Sequence, residues 1–423
     1  MMTSINSSKI NSIITKAEAD LKERFAEIER NEELRTRQVL AVFREESVSY
    51  RHFAPSTGYG YDDIGRDTLE RIYARIFHTE ASLMRPHIAS GTAALSLTLF
   101  GMTKPGETIL SATGMPYDTL LGVIGIGKKE TSGTLREIGI GFNCVDLKDG
   151  KIDIDAVDRL IGDKTSLVIA QRSRGYAWRT SLMPSDFHDL ADMIHTKHPG
   201  VRLMVDNCYG EFVCPDEPSD YGADLCVGSL IKNPGGGIAP TGGYIAGRKE
   251  DVERIAGRLT APGLGRELGS YEGSYRAFYQ GLFMAPHTVA QALKTAILTA
   301  RVFELLGFET TPPALQPRAD IIQAVRMESP DRLIAFCQGL QAASPVDSMA
   351  EPQPWDMPGY DDPVVMAAGT FVAGASIELS ADGPIRPPYT AYMQGGLTYT
   401  HGRIALAEAL ERMICKQCLI IDN

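Results

Sequence analysis

Between residues 16 and 46, apolar side chains recur at Leu21, Phe25, Ile28 and Leu34, with charged residues between them. That spacing predicts an amphipathic helix whose apolar stripe packs on the rest of the fold or on a second subunit. The pattern breaks over residues 50–66, where Gly, Tyr and polar residues crowd together. Such a stretch predicts a loop, and loops with several phenols often carry function. A helix is expected to follow over about 67–77.

From residue 83 to about 250, short apolar runs alternate with helical or loop stretches. The runs at 167–170, 203–205 and 225–227 are of strand length. The alternation predicts an α/β domain with a mostly parallel sheet, which presents its ligands at the carboxyl ends of its strands. A long helix is predicted over 285–307, stopped by Gly307. Pro312, Pro313, Pro317 and the Pro-rich 352–363 segment mark irregular connections. Residues 1–50 therefore read as an N-terminal helical segment and 51–308 as a large domain. Residues 309–423 read as a smaller C-terminal α/β domain, with a helix from about Ile404.

Of the 423 residues, 43% are apolar and 22% charged, and the formal net charge is −11. A chain this long buries a core without metal or disulfides. The acidic balance, with no basic run, argues against nucleic acid or an anionic membrane as partner. No stretch approaches the roughly 18 apolar residues of a membrane span, and the first residues lack the apolar core of a secretory signal. The expected location is the cytoplasm. The seven cysteines are scattered and odd in number, which excludes a disulfide framework of the secreted type. Cys415 and Cys418 form a lone C-x-x-C. Zinc or redox chemistry there would need two further ligands or a thioredoxin-like context, so two thiols on a terminal helix are expected, and no metal.

Three constellations carry chemistry. At Ser90-Gly91-Thr92 small residues precede an apolar helical stretch, and a helix start of this kind suits a phosphate. Asp206 directly follows an apolar strand; a carboxylate there can pair with a pyridinium nitrogen and make the ring an electron sink. Lys232 stands between an apolar strand and Gly235-Gly236-Gly237, and its amine can form an imine with an aldehyde cofactor. The glycines are read as letting the backbone approach a bulky ring. Tyr117, at another loop-to-helix junction, offers a phenol that could stack on such a ring.

In this order and with these residues the chain resembles fold-type I pyridoxal 5′-phosphate (PLP) enzymes of the cystathionine/methionine γ-lyase group. It is most similar to the branch labelled methionine γ-lyase family or aluminium-resistance protein. The matching stretches include STGYGYDDIGRDTLERIYARIF (56–77), SGTAAL (90–95), PYDTL (116–120) and QRSRGYAWR (171–179). VDNCYGEFV (205–213), GSLIKNPGGGIAPTGGYIAG (228–247) and ELSADGPIRPPY (378–389) complete the set, so the resemblance spans nearly the whole chain.

The resemblance implies a seven-stranded sheet and a homodimer or homotetramer with shared sites. It implies Lys232 as the Schiff-base lysine and Asp206 as partner of the ring nitrogen. Ser90, Gly91, Thr92 and Ser229 would hold the phosphate, and Tyr117 would stack and act in catalysis. Tyr59 or Tyr61 would reach a neighbouring subunit's site. The implied reaction is β- or γ-elimination from a sulfur-containing amino acid.

Two departures matter. Ile231 stands where those enzymes carry Thr, and the stretch Gln394-Gly-Gly-Leu-Thr398 lacks their substrate-binding Arg. Arg386 and Arg403 are the candidates for that role, and Arg172 and Arg174 could meet substrate or cofactor. Replacement and transamination use the same cofactor grip, so they stay open. A non-catalytic binding protein on the same fold also stays open, whereas a NAD enzyme lacks its Gly-x-Gly-x-x-Gly turn.

Overall fold

The computed structural model describes residues 2–127, 132–357 and 362–421, and the side chains from Ser7 onward. Its larger sheet has seven strands. They are β1 (Ala81–Arg85), β2 (Thr108–Ser111), β3 (Gly141–Cys144), β4 (Thr165–Gln171), β5 (Arg202–Asp206), β6 (Leu225–Ser229) and β7 (Gly243–Gly247). The order is β1-β7-β6-β5-β4-β2-β3, with every pairing parallel except those of β7 with β1 and β6. The runs at 167–170, 203–205 and 225–227 form the middle of β4, β5 and β6. These strands are buried on both faces, as a helix-covered parallel sheet requires.

The second sheet is smaller and wholly antiparallel: β8 (Thr310–Thr311), β9 (Gln323–Arg326), β10 (Val364–Ala367), β11 (Ser380–Pro384) and β12 (Thr390–Gln394), in the order β10-β11-β12-β9-β8.

Eleven α-helices are described. They are α1 (Met2–Asp20), α2 (Lys22–Glu45), α3 (Ile64–Ile76), α4 (Gly91–Met102), α5 (Asp118–Ile124), α6 (Ile154–Leu160), α7 (His188–Lys197), α8 (Lys249–Leu259), α9 (Arg276–Leu305), α10 (Pro330–Ala342) and α11 (Tyr399–Cys415). The expected single N-terminal helix is two. Ile10, Ile14, Ala17 and Leu21 form one buried stripe along α1 and across the break, and Leu34 faces solvent. Helix α3 starts three residues before the expected 67, because Asp63 caps it by accepting the Arg66 amide at 3.0 Å.

Helix α9 begins nine residues before the expected 285 and carries Pro286 inside it. Gly281, on its first half, lies against the Lys232 loop; a Cβ there would overlap the Gly235 carbonyl oxygen. Gly236 (φ +56°) could carry no side chain beside the Gly281 carbonyl, and Gly237 (φ +75°) none beside Leu397. Thr288 of α9 donates to the Gly236 carbonyl at 3.1 Å. The three glycines therefore let α9 and Leu397 seat the loop that carries Lys232. The sequence reading had given them to a ligand ring.

Candidate active site

One cavity of about 530 Å³ lies between the carboxyl ends of the parallel strands and the smaller sheet. The large-domain wall carries Ser90, Gly91, Thr92, Tyr117, Gln171, Asp206, Cys208, Tyr209, Ser229 and Lys232. The opposite wall carries Arg386 and Tyr392, together with Asp382, Gln394 and Ile322. Arg174 and Tyr176, from the loop after β4, stand between the two.

Each group is placed by ordinary local structure. Ser90 caps α4 by accepting the Ala93 amide at 3.0 Å. The first amides of a helix have no partners within it, and the start of this one, Ser90 to Thr92, lines the cavity. A Cβ on Gly91 would come within 3.2 Å of the Ser229 Cβ, so glycine lets α4 and β6 converge here. Tyr117 precedes α5. Its hydroxyl shares a 2.9 Å hydrogen bond with Thr92 Oγ1, and its amide donates to Gln171 Oε1 at 3.2 Å.

Asp206 ends β5 and accepts the Cys208 amide at 3.1 Å. Burial pushes its carboxyl above the usual range, while Lys232 and the Cys208 amide pull the other way. Burial also raises the Tyr117 phenol, and the Asp206 charge adds to it, so this hydroxyl keeps its proton. Lys232 Nζ lies 4.0 Å from the ring centroid of Tyr209. Burial works against its ammonium. Cys208, Tyr209, Asp206 and Tyr117 outweigh that effect and hold the amine above the usual lysine range.

A buried polar layer supports this wall. Arg172 donates to Asn207 Oδ1 at 2.7 Å and to the Leu182 carbonyl at 3.2 Å, and lies 3.7 Å from Glu217. Glu217 also pairs with Arg35 of α2 at 2.5 Å. Glu211 accepts the Tyr244 hydroxyl at 2.9 Å, and burial pushes its carboxyl up to about 8.

The proposed site residues divide on placement. Lys232, Asp206, Ser229, Tyr117, Ser90, Gly91, Thr92, Arg174 and Arg386 meet in the one cavity. Among the described residues, Arg172, Arg403, Tyr59 and Tyr61 do not line it. Arg172 lies beneath it in the polar layer. Arg403, on α11, is paired with Glu18 of α1 at 3.0 Å. Tyr59 and Tyr61 are 71% and 58% exposed, with ring centroids 5.7 Å apart. Tyr59 borders a separate cleft with Arg85, His87 and Leu264.

Tyr209, Asp382, Tyr176 and Tyr392 also line the cavity and were not singled out from the sequence. The two tyrosines at 176 and 209 stand inside motifs already quoted. Asp382 also stands inside a quoted stretch, 378–389, as an acid in an otherwise small and apolar strand. Cys415 ends α11 and Cys418 follows it; both are free thiols.

Residues 10–414 match the family model described as methionine gamma-lyase. The chain belongs to this family. Relatives similar over nearly their whole length include YnbB of Bacillus subtilis, an uncharacterized protein 51% identical over 403 residues. That match covers 95% of this chain and 96% of YnbB. A carbon-sulfur lyase involved in aluminum resistance from Clostridium novyi NT has a solved structure that superposes with a TM-score of 0.93. It is 47% identical, covering 97% of this chain and 98% of that one. The pyridoxal-5′-phosphate dependent protein YhfS of Escherichia coli superposes at TM-score 0.62 with 15% identity. The fold is that of the fold-type I PLP enzymes. Among the described residues of this family member, no helix is long and apolar enough to cross a membrane.

Proposed function

We propose that this chain is a PLP-dependent carbon–sulfur lyase that eliminates a thiol from a sulfur-containing amino acid. The observation that carries the reading is that Lys232, Asp206 and Tyr117 line one cavity at the carboxyl ends of β5 and β6, with the Asp206 charge acting on the Lys232 amine. The names of the family and of its Clostridium novyi relative agree with it.

The residues fit the cofactor. The start of α4, with Ser90, Gly91 and Thr92, and Ser229 beside it, would hold a phosphate. Tyr117 would lie against the ring and Asp206 would face its nitrogen. Lys232, whose amine is enclosed by Tyr209, Asp206 and Tyr117, would take the aldehyde. When bound, the cofactor supplies an electron sink that acidifies the substrate Cα–H.

The chain supplies the proton traffic. Lys232 Nζ, freed once the substrate amine has displaced it from the aldehyde, would be the base placed to take the Cα proton. The Tyr117 hydroxyl, held by Thr92 and kept protonated by burial, can give a proton to the departing sulfur. The exposed pair Tyr59 and Tyr61 keeps its proposed place at a neighbouring subunit's site; sedimentation of the active species tests that assembly.

The test of the lyase reading is an absorption spectrum of the PLP-loaded protein with a panel of thioether amino acids, together with thiol release. The expected result is a cofactor band that shifts with one substrate class and thiol released with it. Lys232→Ala should lose both the band and turnover. A Lys232→Ala variant with full turnover would sink the mechanism.

A further inference from the structure

Three arginines cluster beside the cavity, Arg174 and Arg318 buried and Arg179 half-buried. Burial pushes all three guanidiniums down, Arg179 to about 10 and Arg318 to about 9. Asp320 is the acid that opposes this in each case. Arg318 also feels Arg24 and Glu304, which act in opposite directions. Both Asp320 oxygens are already engaged, one by the Ser181 hydroxyl and one by the Ile322 amide at 3.1 Å. The cluster thus sets three positive charges against one negative charge, which favours an anion.

Arg174 is the member of this cluster that lines the cavity. It is 2% exposed, and its Nη1 is tied to the Thr311 carbonyl at 2.7 Å. Among the described residues its Nε and Nη2 are buried without a partner. Those two atoms form one edge of the guanidinium, the edge that takes a carboxylate through two parallel hydrogen bonds. A buried donor pair left open costs stability unless a ligand fills it. Arg386, the other cavity arginine, is 53% exposed and paired with Asp362 at 2.9 Å.

We propose that Arg174 is the anchor for the substrate's carboxylate, held through Nε and Nη2 with Nη1 fixed on Thr311. This rests on the lyase reading for the identity of the substrate and not for the anion it binds. It places the anchor on the loop after β4, and of the arginines the sequence offered it selects Arg174 over the C-terminal Arg386 and Arg403.

The test titrates the PLP-loaded protein with S-methylcysteine and with its carboxamide, reading Kd from the cofactor absorption and KM and kcat from thiol release. Wild type should prefer the free acid by roughly 100-fold. Arg174→Gln should bring that preference close to one and raise KM by a similar factor, with cofactor retained. Arg174→Lys should recover part of it.

An Arg174→Gln protein that still prefers the acid overturns the assignment, and so does an Arg386→Gln protein that alone loses the preference. If Arg174→Gln does not fold, Arg174→Lys decides: an unchanged acid preference and Kd overturn the assignment, and a weakened preference upholds it. A wild type with no preference also overturns it. A wild type that prefers the acid yet releases no thiol sinks the lyase reading and leaves the anchor standing.

Discussion

Asp206, Ser229 and Lys232 meet because neighbouring strands of one parallel sheet end on the same edge. Across the cavity, Asp382, Tyr392 and Gln394 come from two antiparallel strands of the other sheet, with Arg174 on the loop between. The two walls treat their polar groups differently. Beneath the first, Arg172 is spent on Asn207, the Leu182 carbonyl and Glu217, and on it Asp206 is tied to the Cys208 amide. Between the walls Arg174 keeps two donors without a partner among the described residues, and on the second burial pushes the Asp382 carboxyl up to about 7. Arg172 and Arg174 are two residues apart, yet one is a strut and the other faces the cavity. The first wall is suited to a group that stays, and the second to one that arrives and leaves.

The sharpest way to break this contrast is on the first wall. Asp206→Asn keeps an oxygen for the Cys208 amide and removes only the charge. Turnover should fall by roughly 100- to 1,000-fold with cofactor still bound, because the ring nitrogen loses its counter-ion. A variant with near wild-type kcat would mean that this wall only holds and does not tune.

On the second wall the effect should be smaller and should depend on pH. Burial raises Asp382, and a hydrogen bond from Tyr176 opposes it. Tyr392, Arg386, Gln394 and Arg174 share the cavity with it. As pH rises through about 7, Asp382 loses its proton and adds a negative charge to a cavity built for a carboxylate. KM should therefore rise by roughly threefold between pH 6 and 8, and Asp382→Asn should flatten that rise. An unchanged KM profile in the variant would move the titrating group elsewhere.

The same difference explains what could be read from the chain. The apolar runs of β4, β5 and β6 announce themselves because strands buried on both faces leave no polar position. Asp206 and Lys232 then stand out as charges at their ends. The arginines were harder, since sequence spacing does not show which guanidiniums are already paired. Arg403 is held by Glu18 of α1, a helix hidden in a segment rich in Ser and Asn whose stripe begins at Ile10. The glycines after Lys232 read as room for a ligand, but their neighbours are Gly281 and Leu397, far along the chain. The large-domain wall is written locally, and the other wall is written in contacts between distant segments.

The least effect belongs to the layer beneath the first wall. Burial pushes Glu211 up to about 8, against an ordinary value of 4.5, so the folded protein holds a proton there that the unfolded chain releases. Glu217 adds to the shift, while the Glu211 amide, Tyr244 and Lys232 oppose it. A raised carboxyl contributes stability that is complete below about pH 4.5 and is lost as pH climbs through about 8. The thermal midpoint should fall across that window by roughly 2 °C per pH unit from this group. Glu211→Gln keeps the shape, still accepts the Tyr244 hydroxyl, and carries no proton to lose. Its midpoint should be flatter than wild type between pH 5 and 8, with the larger gap at the alkaline end and little change in kcat. If both proteins lose stability in parallel, the buried proton lies elsewhere in the layer, with the Arg172–Glu217–Arg35 pairing as the next place to look.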